Sequence, residues 1–182
     1  VSVKDRSQVL TNYAATYEVY DNIAFIDLSG NNILVSQGAK LGSHKSEDYF
    51  QSVLATGKRF VSQPRVAPST GKTVIYLAAP VRDSVTNKII GVVRTQMPVR
   101  FLDDLVKSYG ENDRTYHLVD KAGKVFVTND GTETLGMDAA EHLTPFPQLR
   151  QVRKAAPTES YEPLEKRYVV GGYAPFEATQ GL

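Results

Sequence analysis

The 182-residue chain has no cysteine, so neither a disulfide framework nor a thiolate metal site holds it together. That absence suits an oxidising, extracytoplasmic compartment, although many cytosolic domains also lack cysteine. A dominant charge is missing too: 21 lysines and arginines against 20 aspartates and glutamates leave a formal net charge of +1. With no basic field and no aromatic-rich basic stripe, nucleic acid is not expected as a partner. No apolar run approaches the roughly 20 residues of a membrane helix, and no signal peptide opens the chain. The spans of a membrane-bound parent are therefore expected outside this segment.

Catalytic and metal-binding patterns are equally scarce. His44, His117 and His142 lie far apart without metal-ligand spacing, so neither a metal nor another cofactor is expected. Thr70-Gly71-Lys72-Thr73 resembles the end of a phosphate-binding loop, but that motif needs a glycine where Val66 stands, and a hairpin turn is expected instead. Ser43-His44 and Ser46 show no nucleophile-elbow pattern. The chain reads as a non-enzyme.

What the chain does contain is a repeat. Ile26-Asp27-Leu28-Ser29-Gly30, with the apolar run Ile33 to Ser36, returns as Val119-Asp120-Lys121-Ala122-Gly123 with Val125 to Thr128. Ala79-Pro80-Val81, closing Val74 to Leu77, returns as Ala174-Pro175-Phe176, closing Tyr168 to Val170. Two tandem lobes are expected, and 41% hydrophobic residues suffice for two modest cores. Asp27 and Asp120 read as turn-capping acids rather than catalytic ones.

Val9, Tyr13, Tyr17 and Tyr20 form a helical stripe from Ser2 to Tyr20, expected to pack in the core or against another helix, which looks like the end of a longer helix. Strands follow at Ile23–Leu28 and Ile33–Ser36, joined by a turn. A short helix is expected from an N-cap at Ser46 to Gly57, with Phe50, Val53 and Leu54 inward. One brief strand is expected at Val61–Val66, then long ones at Thr73–Arg82 and Ile89–Met97, all antiparallel because the links are too short for crossovers. Val99–Tyr109 reads as a helix with Leu102, Leu105, Val106 and Tyr109 on its apolar face. The second lobe then offers a hairpin over Thr115–Thr128, a loop over Asn129–Asp138, a helix near Pro147–Ala155 and a strand at Arg167–Ala174. Its last strand is expected to be missing.

These residues resemble the double Cache family of extracytoplasmic sensors. The resemblance rests on Phe25-Ile26-Asp27-Leu28-Ser29-Gly30, Asp48-Tyr49-Phe50, Thr56-Gly57-Lys58, Val61-Ser62-Gln63-Pro64, Thr70-Gly71-Lys72, Ala79-Pro80-Val81-Arg82 and Ile90-Gly91-Val92-Val93. It implies an α+β fold of two tandem PAS-like lobes, antiparallel sheets with flanking helices, on a long N-terminal signalling helix, residues 1–21. Residues 22–98 would be the membrane-distal, ligand-binding lobe, 99–114 a linking helix and 115–182 the membrane-proximal lobe. It further implies a sensing domain of a chemoreceptor, sensor histidine kinase or cyclase receptor, periplasmic or extracellular, homodimeric in the full receptor, with a small-molecule ligand.

A subset of that family binds amino acids through an Arg, a Trp and a Tyr near the start of the short helix and an Asp on the distal lobe's last strand. Here Glu47 stands in place of the Arg, and the strand reads Arg94-Thr95-Gln96 with no acid. Strand alternation puts Val92, Arg94 and Gln96 on one face, with Arg65 on the short strand opposite and Tyr49 and Tyr76 as walls. Two guanidiniums and an amide suit an anion such as a carboxylate. The competing reading makes Arg65 and Arg94 surface residues paired with Glu47, Asp48 or Asp83. Two alternatives to the sensor are an interaction module docking a periplasmic binding protein or partner subunit, and a cytoplasmic PAS-like domain, which the duplication and the entry helix oppose.

Overall fold

The computed structural model describes residues 3–36, 42–109, 115–129, 135–142, 156–162 and 167–173. In chain order the elements are α1 (Val3–Thr16), β1 (Asn22–Ile26), β2 (Asn32–Val35), α2 (Asp48–Thr56), β3 (Phe60–Val61), β4 (Arg65–Val66), β5 (Thr73–Arg82) and β6 (Ile89–Pro98). They continue with α3 (Arg100–Tyr109), β7 (His117–Val119), β8 (Val125–Thr128), α4 (Ala139–His142), β9 (Ala156–Glu162) and β10 (Arg167–Tyr173). The chain divides into two compact units, Val1–Leu102 and Asp103–Leu182.

The first unit is built on one antiparallel sheet in the order β2-β1-β6-β5-β3, with β4 also pairing with β5. β1 stops at Ile26 rather than Leu28 because the Asp27 carboxylate accepts hydrogen bonds from the N–H groups of Ser29 and Asn31 and closes the turn locally. The expected single strand Val61–Val66 is two short ones. Pro64 has no N–H to pair, and the Ser62 hydroxyl replaces a backbone acceptor by taking the Tyr76 N–H at 2.9 Å.

α2 ends as expected, with Gly57 in the left-handed region (φ 64°) donating its N–H to Val53 O. Its start differs. Glu47, not Ser46, occupies the N-cap position and makes no capping bond, because its carboxylate faces Arg65 instead. The Asp48 carboxylate accepts the Tyr49 N–H in the first turn. Tyr49, Phe50 and Val53 of α2 pack on Ile26, Val74, Tyr76, Ala78 and Val92 of the sheet. Each fully buried apolar side chain of this size contributes about 1.5–3 kcal/mol.

α1 lies against β1 and β2 but ends at Thr16, so Tyr17 falls in a turn. Tyr13 and Tyr17 stack at 6.3 Å and are exposed, as is Val9. They are not core residues of this chain, contrary to one form of the expectation. Leu105, expected on the apolar face of α3, is exposed as well.

The second unit repeats the backbone pairing of the first hairpin's turn. Asp27 N–H donates to Asn31 O and Gly30 N–H to Asp27 O; Asp120 N–H donates to Lys124 O and Gly123 N–H to Asp120 O. Asp120 accepts from the Lys124 N–H, and the turn glycines have φ of 91° and 90°. Both hairpins carry a register shift at the same place, Phe25/Ile26 and Leu118/Val119. β10 pairs with β9, a strand absent from the sequence-based expectation. The helix expected near 147–155, the Ala174-Pro175 landmark and the chain end where a strand was expected to be missing lie outside the described residues.

Candidate ligand-binding site

The sheet face under α2 carries a polar row. Register places Asn22 opposite Gln96 and Gln96 opposite Tyr76; the adjacent row is Ala24, Arg94, Ala78. Strand alternation turns these side chains to the face covered by α2. The alanines beside Arg94 leave room for its guanidinium to lie within the layer. Arg94 is 5% exposed, Gln96 2%, Asn22 7%, Tyr49 2% and Tyr76 8%.

Arg94 donates from a terminal guanidinium nitrogen to Asn22 Oδ1, and Asn22 Nδ2 donates to Gln96 Oε1 at 3.2 Å. Arg94 Cζ lies 5.5 Å from the Tyr76 ring centroid, and the Tyr49 and Tyr76 rings are 5.4 Å apart. Among the described residues no carboxylate pairs with Arg94. Arg94 Nε, Gln96 Nε2 and His44 Nε2 are buried and make no hydrogen bond there. Such groups lose their water without replacement, which costs about 1–3 kcal/mol each.

The sequence reading brought forward Tyr49, Arg65, Tyr76, Arg94 and Gln96, and the fold gathers all five. Arg65 differs from the rest. Its guanidinium bonds Asp48 at 2.9 Å and approaches Glu47 at 3.5 Å, with a third of the side chain exposed. It also lies 4.7 Å from the Tyr76 centroid and 5.7 Å from that of Tyr49. Surface pairing therefore holds for Arg65 with Glu47 and Asp48, and fails for Arg94.

Two residues join that the sequence did not single out. Asn22 enters through its place opposite Gln96, as the first residue of β1, one position before the strand expected from the sequence. His44 enters because Nδ1 meets the Tyr49 hydroxyl at 2.5 Å. Burial, and then the neighbouring Arg94 charge, push the His44 imidazole below its ordinary value. Burial raises the Tyr49 phenol, against the pull of Arg94, and raises Tyr76 in the same way. At neutral pH the imidazole is uncharged, both phenols keep their protons, and Arg94 is the buried charge of the cluster.

The Cache domain family model dCache_1 matches residues 2–181, and the chain belongs to that family. No curated protein sequence matches it. Solved structures share the fold. The sensory domain of the Campylobacter jejuni chemoreceptor Tlp3 (CcmL) is 20% identical with a TM-score of 0.68, over 86% of this chain and 64% of that one. The ligand-binding domain of Pseudomonas aeruginosa PctC, bound to GABA, is 18% identical with a TM-score of 0.60, over 85% and 68%. That of Pseudomonas fluorescens CtaA with L-serine is 18% identical with a TM-score of 0.61, over 84% and 65%. This chain spans 51% of one Tlp3 structure and 62% of another. Among the described residues no helix is long and apolar enough to cross a membrane.

Proposed function

We propose that the chain is the extracytoplasmic sensing domain of a transmembrane receptor, a chemotaxis receptor before a kinase or cyclase, and that its first unit binds a small organic anion between α2 and the sheet. Arg94 carries this reading. A guanidinium cannot lose its proton in a protein, and an uncompensated ion in the interior costs several kcal/mol. A ligand carboxylate supplies the missing countercharge. The unpartnered Arg94 Nε and Gln96 Nε2 are both donors and call for acceptors.

An α-amino acid would bring an ammonium group that needs an acid. Glu47 and Asp48, at the head of α2, are engaged by Arg65. Asp21, next to Asn22 in the chain, is the acid that remains, with Oδ2 buried and unpartnered among the described residues. The ligands of the similar chemoreceptor domains support a small molecule in general; the donor set here favours one without an ammonium. Tyr49, Arg65 and Tyr76 form the edge of the site.

Residues 22–98 are then the membrane-distal lobe, 99–114 the link and 115–182 the membrane-proximal lobe. Ligand binding shifts the lobes toward one arrangement by its differential affinity and so biases the signalling helix. The exposed stripe Val9, Tyr13 and Tyr17 supports pairing of that helix with a second copy in the full receptor.

A thermal-shift screen of small organic acids, amines and nucleobases tests the reading. A ligand at 100 times its dissociation constant adds about 2.7 kcal/mol, and organic acids are expected to give the shifts. Shifts from amines or amino acids alone would refute the anion. No shift anywhere would favour an interaction module docking a periplasmic binding protein or partner subunit.

A further inference from the structure

We propose that His44 is a third contact of this site and that the anion binds together with a proton taken up by the imidazole. The inference rests on the ligand site proposed above and adds a residue and a coupling to it. His44 reaches the site from the loop before α2, fixed by its Nδ1 on the Tyr49 hydroxyl, and its other nitrogen is buried with no partner among the described residues. A histidine fixed through one ring nitrogen presents the other to whatever occupies the site. The free nitrogens of Arg94, Gln96 and His44 thus come from a strand and a loop flanking one aromatic wall, Tyr49 and Tyr76.

The charges around the pair set the direction. Burial, and after it Arg94 of β6, disfavours imidazolium. Arg65 of β4, Glu47 at the head of α2 and Tyr76 of β5 act on the Tyr49 hydroxyl that holds the ring. Arg65 is shared between Glu47 and Asp48, so these three carry a net charge of −1 at the exposed edge of the site. An arriving carboxylate neutralises Arg94 and places negative charge beside His44, which removes the Arg94 repulsion and sets an attraction against the cost of burial. The imidazole then takes one proton from solvent. Its Nδ1–H donates to the Tyr49 hydroxyl oxygen, whose hydrogen is free to rotate, and its Nε2–H donates to the anion. Uptake of one proton makes affinity rise as pH falls.

Isothermal titration of the whole chain with acetate, lactate, succinate and benzoate decides the matter. It is run about one unit below and about one unit above the ordinary imidazole value of about 6.5. The tightest binder of the four is expected to bind at least about threefold more tightly at the lower pH, within the limit of about tenfold per unit for one proton. Its apparent enthalpy is expected to differ between buffers of different ionisation heat by the amount that proton uptake requires. His44→Gln is expected to bind more weakly at the lower pH and to lose the pH dependence. Binding by the wild-type protein without proton uptake overturns the inference even if His44→Gln fails to fold, as does a pH dependence unchanged in that variant. If none of the four acids binds, or if Arg94→Ala binds as tightly as wild type, the anion site itself falls and this inference with it.

Discussion

Replacing Arg94 by methionine separates a ligand-binding cation from a structural one, because the two roles predict opposite signs for the stability of the ligand-free protein. The substitution removes a buried ion whose desolvation costs several kcal/mol and a donor, Nε, whose lost solvation costs about 1–3 kcal/mol. Against this stand two losses. Asn22 Oδ1 loses the donor it has in Arg94, again about 1–3 kcal/mol. The contact with the Tyr76 face disappears, worth about 0.5–2 kcal/mol. The alanines on either side, Ala24 and Ala78, give methionine space without overpacking. Relief exceeds loss, and Arg94→Met is expected to be more stable than wild type by about 1–3 kcal/mol. For a chain of this size each kcal/mol raises Tm by about 2–4 °C. Urea denaturation followed by circular dichroism, with an unchanged slope, measures it. The same variant is expected to lose all thermal response to organic acids, a trade of binding for stability. Destabilisation by more than about 2 kcal/mol with anion binding intact would show that Arg94 is a strut for Asn22 and Tyr76, and the countercharge argument would fail.

The two repeated turns give a matched pair of variants. Gly30→Ala and Gly123→Ala both meet a positive φ, costing about 1–2 kcal/mol, but a Cβ at Gly30 would stand 2.8 Å from Lys45 N whereas one at Gly123 has its nearest neighbour at 3.7 Å. Denaturation is expected to show the first as clearly the more damaging; equal costs would mean that the backbone near Lys45 yields freely. Gly91→Ala would put a Cβ 2.6 Å from both Ile26 O and Phe25 Cζ, so a loss of about 1–3 kcal/mol from overpacking is expected, and a stability equal to wild type would contradict the close approach of β6 to β1. His44 has a folded value below its unfolded one, so its contribution to ligand-free stability is present above about pH 6.5 and is lost as pH falls through the folded value. Ligand-free wild type is expected to lose more stability than His44→Gln on acidification, and parallel curves for the two would refute the depressed imidazole.

Local chemistry was legible in the sequence. Asp27 and Asp120 were readable as turn-capping acids because an aspartate bonds backbone only a few residues away, and β5 was readable from Thr73 to Arg82 because turns flank an apolar run. β9 was not, since Thr158-Glu159-Ser160-Tyr161-Glu162 has no apolar period and its pairing with β10 is made elsewhere in the chain. The split between β3 and β4 turns on a side-chain bond, Ser62 to Tyr76, that no propensity expresses.

The candidate site divides along the same line. Period-two alternation was enough to put Arg94 and Gln96 on one face with Val92, because that property belongs to one strand; that the face looks inward came from the family resemblance. It could not bring in Asn22, which reaches Gln96 only through the pairing of β1 with β6, or His44, which reaches Tyr49 only through the folding back of its loop. Nor could it separate the two arginines, which carry the same charge on strands either side of β5. Arg65 has Glu47 and Asp48 within reach, so its charge is answered inside the protein and is largely in water. Arg94 has alanines beside it and an amide in front of it, which seat a cation without neutralising it. A buried charge answered by the fold contributes to structure; the one left unanswered is the basis of the proposed anion site, and strand register together with the acids at the head of α2 decides which arginine that is.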